Sequence, residues 1–80
     1  SGGLEVHPNP VQDNAVVWLG EEFQGRTDLL LSDGLGRAVR AWSIGGDRAE
    51  LRREDLPRGL YLLRAVGREG TERVVRVLMD

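Results

Sequence analysis

The chain has no cysteine, no lysine, one histidine (His7), and no apolar run long enough to cross a membrane as a helix. Without cysteine, neither disulfides nor a thiolate metal site can support the fold. With a single imidazole and no thiol, zinc would need carboxylates for its remaining ligands, so no metal is expected. All 11 cations are arginines spread along the chain, and the net charge is only −2. That balance gives no nucleic-acid footprint. Sustained helical periodicity is also lacking. The nearest rival, Gly46 to Leu56, places its apolar residues 49, 51 and 56 closer to a strand period, and Pro57 would end any helix. The serines have no G-x-S-x-G context. Gly34-Leu35-Gly36 lacks the third glycine of a dinucleotide fingerprint and opens a strand rather than a helix. Catalysis, a cofactor and a small-molecule substrate are therefore not expected.

What is present is an 80-residue chain with 40% hydrophobic residues, too apolar for disorder and enough for one thin core. Strand signals recur at short spacing with turn residues between them. They cover Leu4–His7, Asn14–Leu19, Arg26–Ser32, Arg37–Ile44, Arg48–Arg52, Leu60–Val66 and Thr71–Met79. Asp33-Gly34-Leu35-Gly36 and Arg68-Glu69-Gly70 suit tight hairpins. Pro57 and Gly59 fit positions i+1 and i+3 of a type I turn. Leu60–Val66 is apolar on both faces and is expected in the middle of its sheet. The reading is all-β: an immunoglobulin-like antiparallel β-sandwich of about seven short strands. Ser1-Gly2-Gly3, with no initiating Met, is expected to be a linker or cloning remnant ahead of a domain over 4–80.

Isolated chemical candidates are weak. Glu21-Glu22 and Glu54-Asp55 are adjacent acids, which point to opposite faces of a strand and so do not share a proton. Trp18, Trp42 and Tyr61 could form a sugar platform, but a small sandwich needs its large aromatics inside. Trp18 and Tyr61 are expected in the core, with Trp42 less determined because Val39 and Ala41 compete for the opposite face.

The order of the pieces is more specific. "VHPNPVQDN", "SDGLGRAV", "DLPRGLYLLRA" and a basic last strand follow one another from Leu4 to about Leu78. Together they resemble the type A C-terminal sorting domain of the type IX (Por) secretion system of Bacteroidota. That family reads Tyr-Pro-Asn-Pro, then Asp-x-x-Gly-x-x-Val, then Leu-Pro-x-Gly-x-Tyr, then a lysine-rich final strand. Pro8, Asn9 and Pro10 match the first motif, with His7 in the place of tyrosine. Asp33, Gly36 and Val39 match the second, and Leu56, Pro57, Gly59 and Tyr61 the third. Arg73 and Arg76 stand where the family has lysines, and Met79-Asp80 replaces a basic ending.

The resemblance implies an address rather than an enzyme. An N-terminal cargo is covalently linked to the domain, exported to the periplasm, recognised by the outer-membrane translocon, and passed to the cell surface or medium. A sortase-like protease then commonly removes the domain. The alternative is an immunoglobulin-like or fibronectin-like module of a surface protein that binds glycan or protein.

Two expectations concern physical detail. Pro8 and Pro10 fix φ near about −65° and, with Asn9 bonding neighbouring backbone, make a stiff corner after a short first strand. In the last strand, alternation places Val75 and Val77 inward. Val74, Arg76 and Leu78 then face outward and, with Arg73, are candidates for translocon recognition by face contact or strand addition.

Overall fold

Burial alternates along the strands, so that the buried positions of each fall on one side, whether the sequence alternates apolar with polar, as in Leu4–His7, or is apolar on both faces, as in Asn14–Leu19 and Gly59–Gly67. In this computed structural model, which describes residues 3–23 and 25–80, seven strands form: β1 (Leu4–His7), β2 (Asn14–Leu19), β3 (Arg26–Ser32), β4 (Ala38–Gly45), β5 (Arg48–Arg52), β6 (Gly59–Gly67) and β7 (Glu72–Met79). Ser1 and Gly2, two of the three expected linker residues, lie outside the described residues. Gly3 is buried, with φ +70°, and its carbonyl accepts from the Gly20 amide at 2.7 Å. No helix forms over Gly46–Leu56; the segment carries β5.

The strands make two sheets, ordered β1-β2-β5 and β4-β3-β6-β7. Every ladder is antiparallel. The sheets pack face to face as an immunoglobulin-like sandwich. β6 lies between β3 and β7, as its two apolar faces suggested. The chain changes sheets between β2 and β3, between β4 and β5, and between β5 and β6, so each sheet borrows strands from distant parts of the sequence.

The core is built from Val6, Val11, Val17, Leu29, Leu31, Leu51, Tyr61, Leu63, Val77 and Met79, all nearly or fully buried. Phe23, in the loop after β2, joins them at 3% exposure. Among the described residues one buried position is polar: Thr27 is fully covered, and its hydroxyl has no hydrogen-bond partner among them.

Two expectations are corrected here. Trp18 is not a core residue. On β2 it is Ala15, Val17 and Leu19 that face inward, leaving Trp18 40% exposed on the outer face. There it stands opposite Arg48 in register, whose guanidinium sits 5.3 Å from the indole centroid, a cation–π contact. It is Trp42 that packs against the core, while Ala41 faces out. A bulge in the β3–β4 ladder, where Leu31 pairs with Arg40 but Ser32 with Ala38, lets Val39 also reach the core. The second correction concerns the turn before β6. It closes at Arg53–Leu56, with Leu56 N donating to Arg53 O at 3.1 Å and Glu54 at φ 54°, rather than at Leu56–Gly59.

Candidate interaction surface

Pro8-Asn9-Pro10 follows β1 directly, and both the His7–Pro8 and Asn9–Pro10 peptide bonds are cis. The chain there leaves the three-stranded sheet and passes along the edge of β7 before returning as β2. The Asn9 side chain bonds this distant strand and not its neighbours. Its Nδ2 donates to the Arg76 carbonyl at 2.8 Å, and its Oδ1 accepts from the Leu78 amide at 3.0 Å. A primary amide presents N–H donors and a carbonyl acceptor in one plane, so one N–H and the oxygen can reproduce a peptide group of a neighbouring strand. Val11 continues the pairing as an isolated parallel bridge to Met79. Its amide donates to Leu78 O at 2.7 Å, and the Asp80 amide donates to Val11 O at 2.9 Å. Three backbone groups on the open side of β7, and the Asp80 amide just past it, are thereby occupied.

Arg53 fastens the same end of the sandwich. Its Nε donates to the Leu56 carbonyl at 3.0 Å, and its Nη1 reaches the carbonyls of Asp80 (2.6 Å), Gln12 (3.1 Å) and Val11 (3.4 Å). At the opposite edges, Arg40 of β4 donates to the carbonyls of Arg52, which ends β5, and of Arg53, and meets Glu54 at 3.4 Å. Both arginines thus hold backbone carbonyls within the domain.

The second motif is a turn held by its own carboxylate. Asp33 Oδ1 accepts from the amides of Leu35 and Arg37, and Oδ2 from Arg37 Nε, each at 2.9 Å. Gly36 adopts φ +85°, a left-handed conformation that glycine takes without steric cost. The Arg37 amide foremost, then the Leu35 amide and the Arg37 guanidinium, hold the Asp33 carboxyl below the ordinary aspartate range, with desolvation opposing them.

The third motif sets the entry to β6. Gly59 has φ +147°, and Leu56 packs on the core. The Tyr61 ring is buried, with its hydroxyl donating to the Pro57 carbonyl at 2.7 Å. This is the tyrosine corner of immunoglobulin-like sandwiches, a ring near the start of the sixth strand tied to backbone just upstream.

On β7 the odd residues face the core, with Val77 and Met79 buried. Val74 and Leu78 lie on the outer face, 52% and 43% exposed, with Arg76 between them. Arg73 belongs to the other face and meets Glu22 at 3.4 Å. The candidates Val74, Arg76 and Leu78 thus share one surface that Arg73 does not. The β6–β7 register adds residues that sequence reasoning did not name, setting Leu60 beside Leu78, Leu62 beside Arg76 and Arg64 beside Val74. Leu60 and Leu62 are 48% and 44% exposed.

Among the described residues no group of three or more His, Asp or Glu is placed to hold a metal ion. His7 Nε2 lies 2.9 Å from Glu5 Oε1 on the exposed side of β1. Glu22 turns to Arg73, while Glu54 and Asp55 both turn to Arg40. These carboxylates act as surface ion-pair partners.

No curated protein matches this chain. The family model of the secretion system C-terminal sorting domain matches residues 5–78, from the first strand through nearly all of the last. The match takes in the proline corner, the Asp33 turn, the tyrosine corner and the outer face of β7, and it assigns the chain to the C-terminal sorting domains of the type IX secretion system.

Proposed function

We propose that the domain is read, folded, by the type IX outer-membrane translocon, that it delivers a covalently linked N-terminal cargo to the cell surface or medium, and that a sortase-like protease then removes it. The observation that carries this reading is the family match over residues 5–78. The domain contributes no chemistry to the cargo; its work is recognition. Val74, Arg76 and Leu78 are the recognition residues of this proposal, with Arg73 in a supporting place beside Glu22. Face contact is favoured over strand addition, because Asn9 and Val11 already occupy the C-terminal half of the β7 edge.

The test is a fusion of a signal peptide and a fluorescent reporter to residues 1–80, expressed in a bacterium with a working type IX system and in its translocon-deficient counterpart. Reporter outside the cell only where the translocon works is the expected result. Cleavage between reporter and domain would identify the processing step. Retention of folded reporter in the periplasm of both strains would favour the adhesive-module alternative. Deleting the end of β7 is not a usable test, since Val77 and Met79 are core residues and their loss would unfold the domain.

A further inference from the structure

Six large hydrophobic residues of the described chain are well exposed, and four of them, Leu60, Leu62, Val74 and Leu78, lie on the outer face of the β6–β7 hairpin. Their cross-strand register arranges them around one guanidinium. Arg76 stands between Val74 and Leu78 along β7 and opposite Leu62 on β6. It differs from its neighbour Arg64, whose Nε is paired with Glu72 Oε2 at 2.8 Å. Among the described residues no carboxylate comes within ion-pair distance of Arg76. An unpaired cation flanked by apolar side chains along its own strand and on the neighbouring one is a surface that a partner can complete into an interface centre, where the apolar contacts exclude water and strengthen the pairing of the charge.

We propose that this face docks a protein partner that presents a carboxylate to Arg76 and apolar side chains to Leu60, Leu62 and Leu78. The proposal rests on the sorting reading and specifies the chemistry of the partner surface within the export machinery. Charge complementarity selects this occupant over a second copy of the chain. A two-fold contact centred on the patch would set one Arg76 against the other, with no acid to compensate either. Lateral pairing is disfavoured by the Asn9 amide, which holds the Arg76 carbonyl and Leu78 amide.

The export fusion decides the matter with variants at position 76 and one control. Arg76→Lys keeps the charge, Arg76→Gln removes it and Arg76→Glu reverses it. Arg52→Glu makes the same reversal on the outer face of the three-stranded sheet. Wild type, Arg76→Lys and Arg52→Glu are expected outside the cell, whereas Arg76→Gln and Arg76→Glu fall by about tenfold or more, the equivalent of losing one good charged contact. Melting of each purified chain checks that it folds. Should the reversal unfold the domain, Arg76→Gln and the double variant Leu62→Ser/Leu78→Ser carry the test. Export of Arg76→Gln at the wild-type level overturns the acidic partner while leaving sorting intact. Sedimentation as a dimer that Leu62→Ser disperses gives the face to a second copy and overturns the proposal. Failure of the wild-type fusion itself to depend on the translocon removes the sorting reading, and this inference with it.

Discussion

Replacing Asn9 with alanine should loosen the last strand although the two are far apart in sequence. The side chain makes two hydrogen bonds to β7 backbone, at 2.8 Å and 3.0 Å. Each such bond contributes about 0.5–1.5 kcal/mol net. Asn9 is exposed, so water can re-solvate the freed Arg76 carbonyl and Leu78 amide, and no further desolvation penalty is added. The expected loss is about 2 kcal/mol, which for a domain of this size lowers Tm by about 8–16 °C. Asn9→Asp separates the donor from the acceptor. An introduced carboxylate still accepts from Leu78 N–H, but it faces the Arg76 carbonyl with no proton to give. Its charged form is disfavoured in the folded state, which raises its folded pKa, so the penalty is present at neutral pH, is relieved as pH falls through that raised value, and is gone below the unfolded value of about 3.9. Urea unfolding gives the free energies, and amide exchange gives the location. In Asn9→Ala the Leu78 and Asp80 amides should lose protection by more than the Leu63 amide does. A Tm within 2 °C of wild type, with Leu78 still protected, would show that the corner does not hold the strand.

Three further outcomes follow from single groups. Thr27→Val removes a fully buried hydroxyl that lacks a partner among the described residues and keeps the shape, so it should stabilise by about 1 kcal/mol in urea unfolding; destabilisation would mean the hydroxyl is satisfied. Tyr61→Phe removes only the bond to the Pro57 carbonyl and should cost about 1–2 kcal/mol, measured the same way. Asp33 has a lowered folded pKa, so its contribution is complete above the unfolded value of about 3.9 and is lost as pH falls through the folded value. Melting between pH 2 and 7 should therefore show a smaller acid loss in Asp33→Asn than in wild type, and parallel curves would refute the assignment.

Short apolar or alternating segments between turn residues were enough to find all seven strands, four of them to the residue. Alternation shows which face is buried, and it fails where a strand is apolar throughout. In Asn14–Leu19 the run NAVVWL hides its own phase, and only pairing with Arg48 reveals that Trp18 faces out. The Asp33 turn was legible because its partners lie within four residues. The Asn9 contact was not, since it joins groups 67 and 69 residues apart, and a proline–asparagine–proline run signals a corner without saying what the corner covers. The exposed face was half visible: alternation gave Val74, Arg76 and Leu78, whereas Leu60 and Leu62 required the β6–β7 register. Phe23 carried no periodic signal at all, being a single aromatic residue in a loop between strands of different sheets.

The family motifs and the proposed docking face use different residues, and the geometry explains the separation. Asn9, Asp33 and Tyr61 direct their polar groups to backbone within the domain. Gly36 and Gly59 supply left-handed conformations, and Val39 and Leu56 pack on the core. A side chain so occupied has little left to offer a partner. These residues close the sandwich, fix the edge of β7 and set the phase of β6 against β7, which brings Leu60, Leu62, Val74 and Leu78 around Arg76. Changing a motif residue should therefore lower stability and export together, through the population of folded domain. Changing Arg76 should lower export while leaving Tm in place. That division, read from paired melting and export measurements on Tyr61→Phe and Arg76→Gln, separates the frame that holds the signal from the surface that is read.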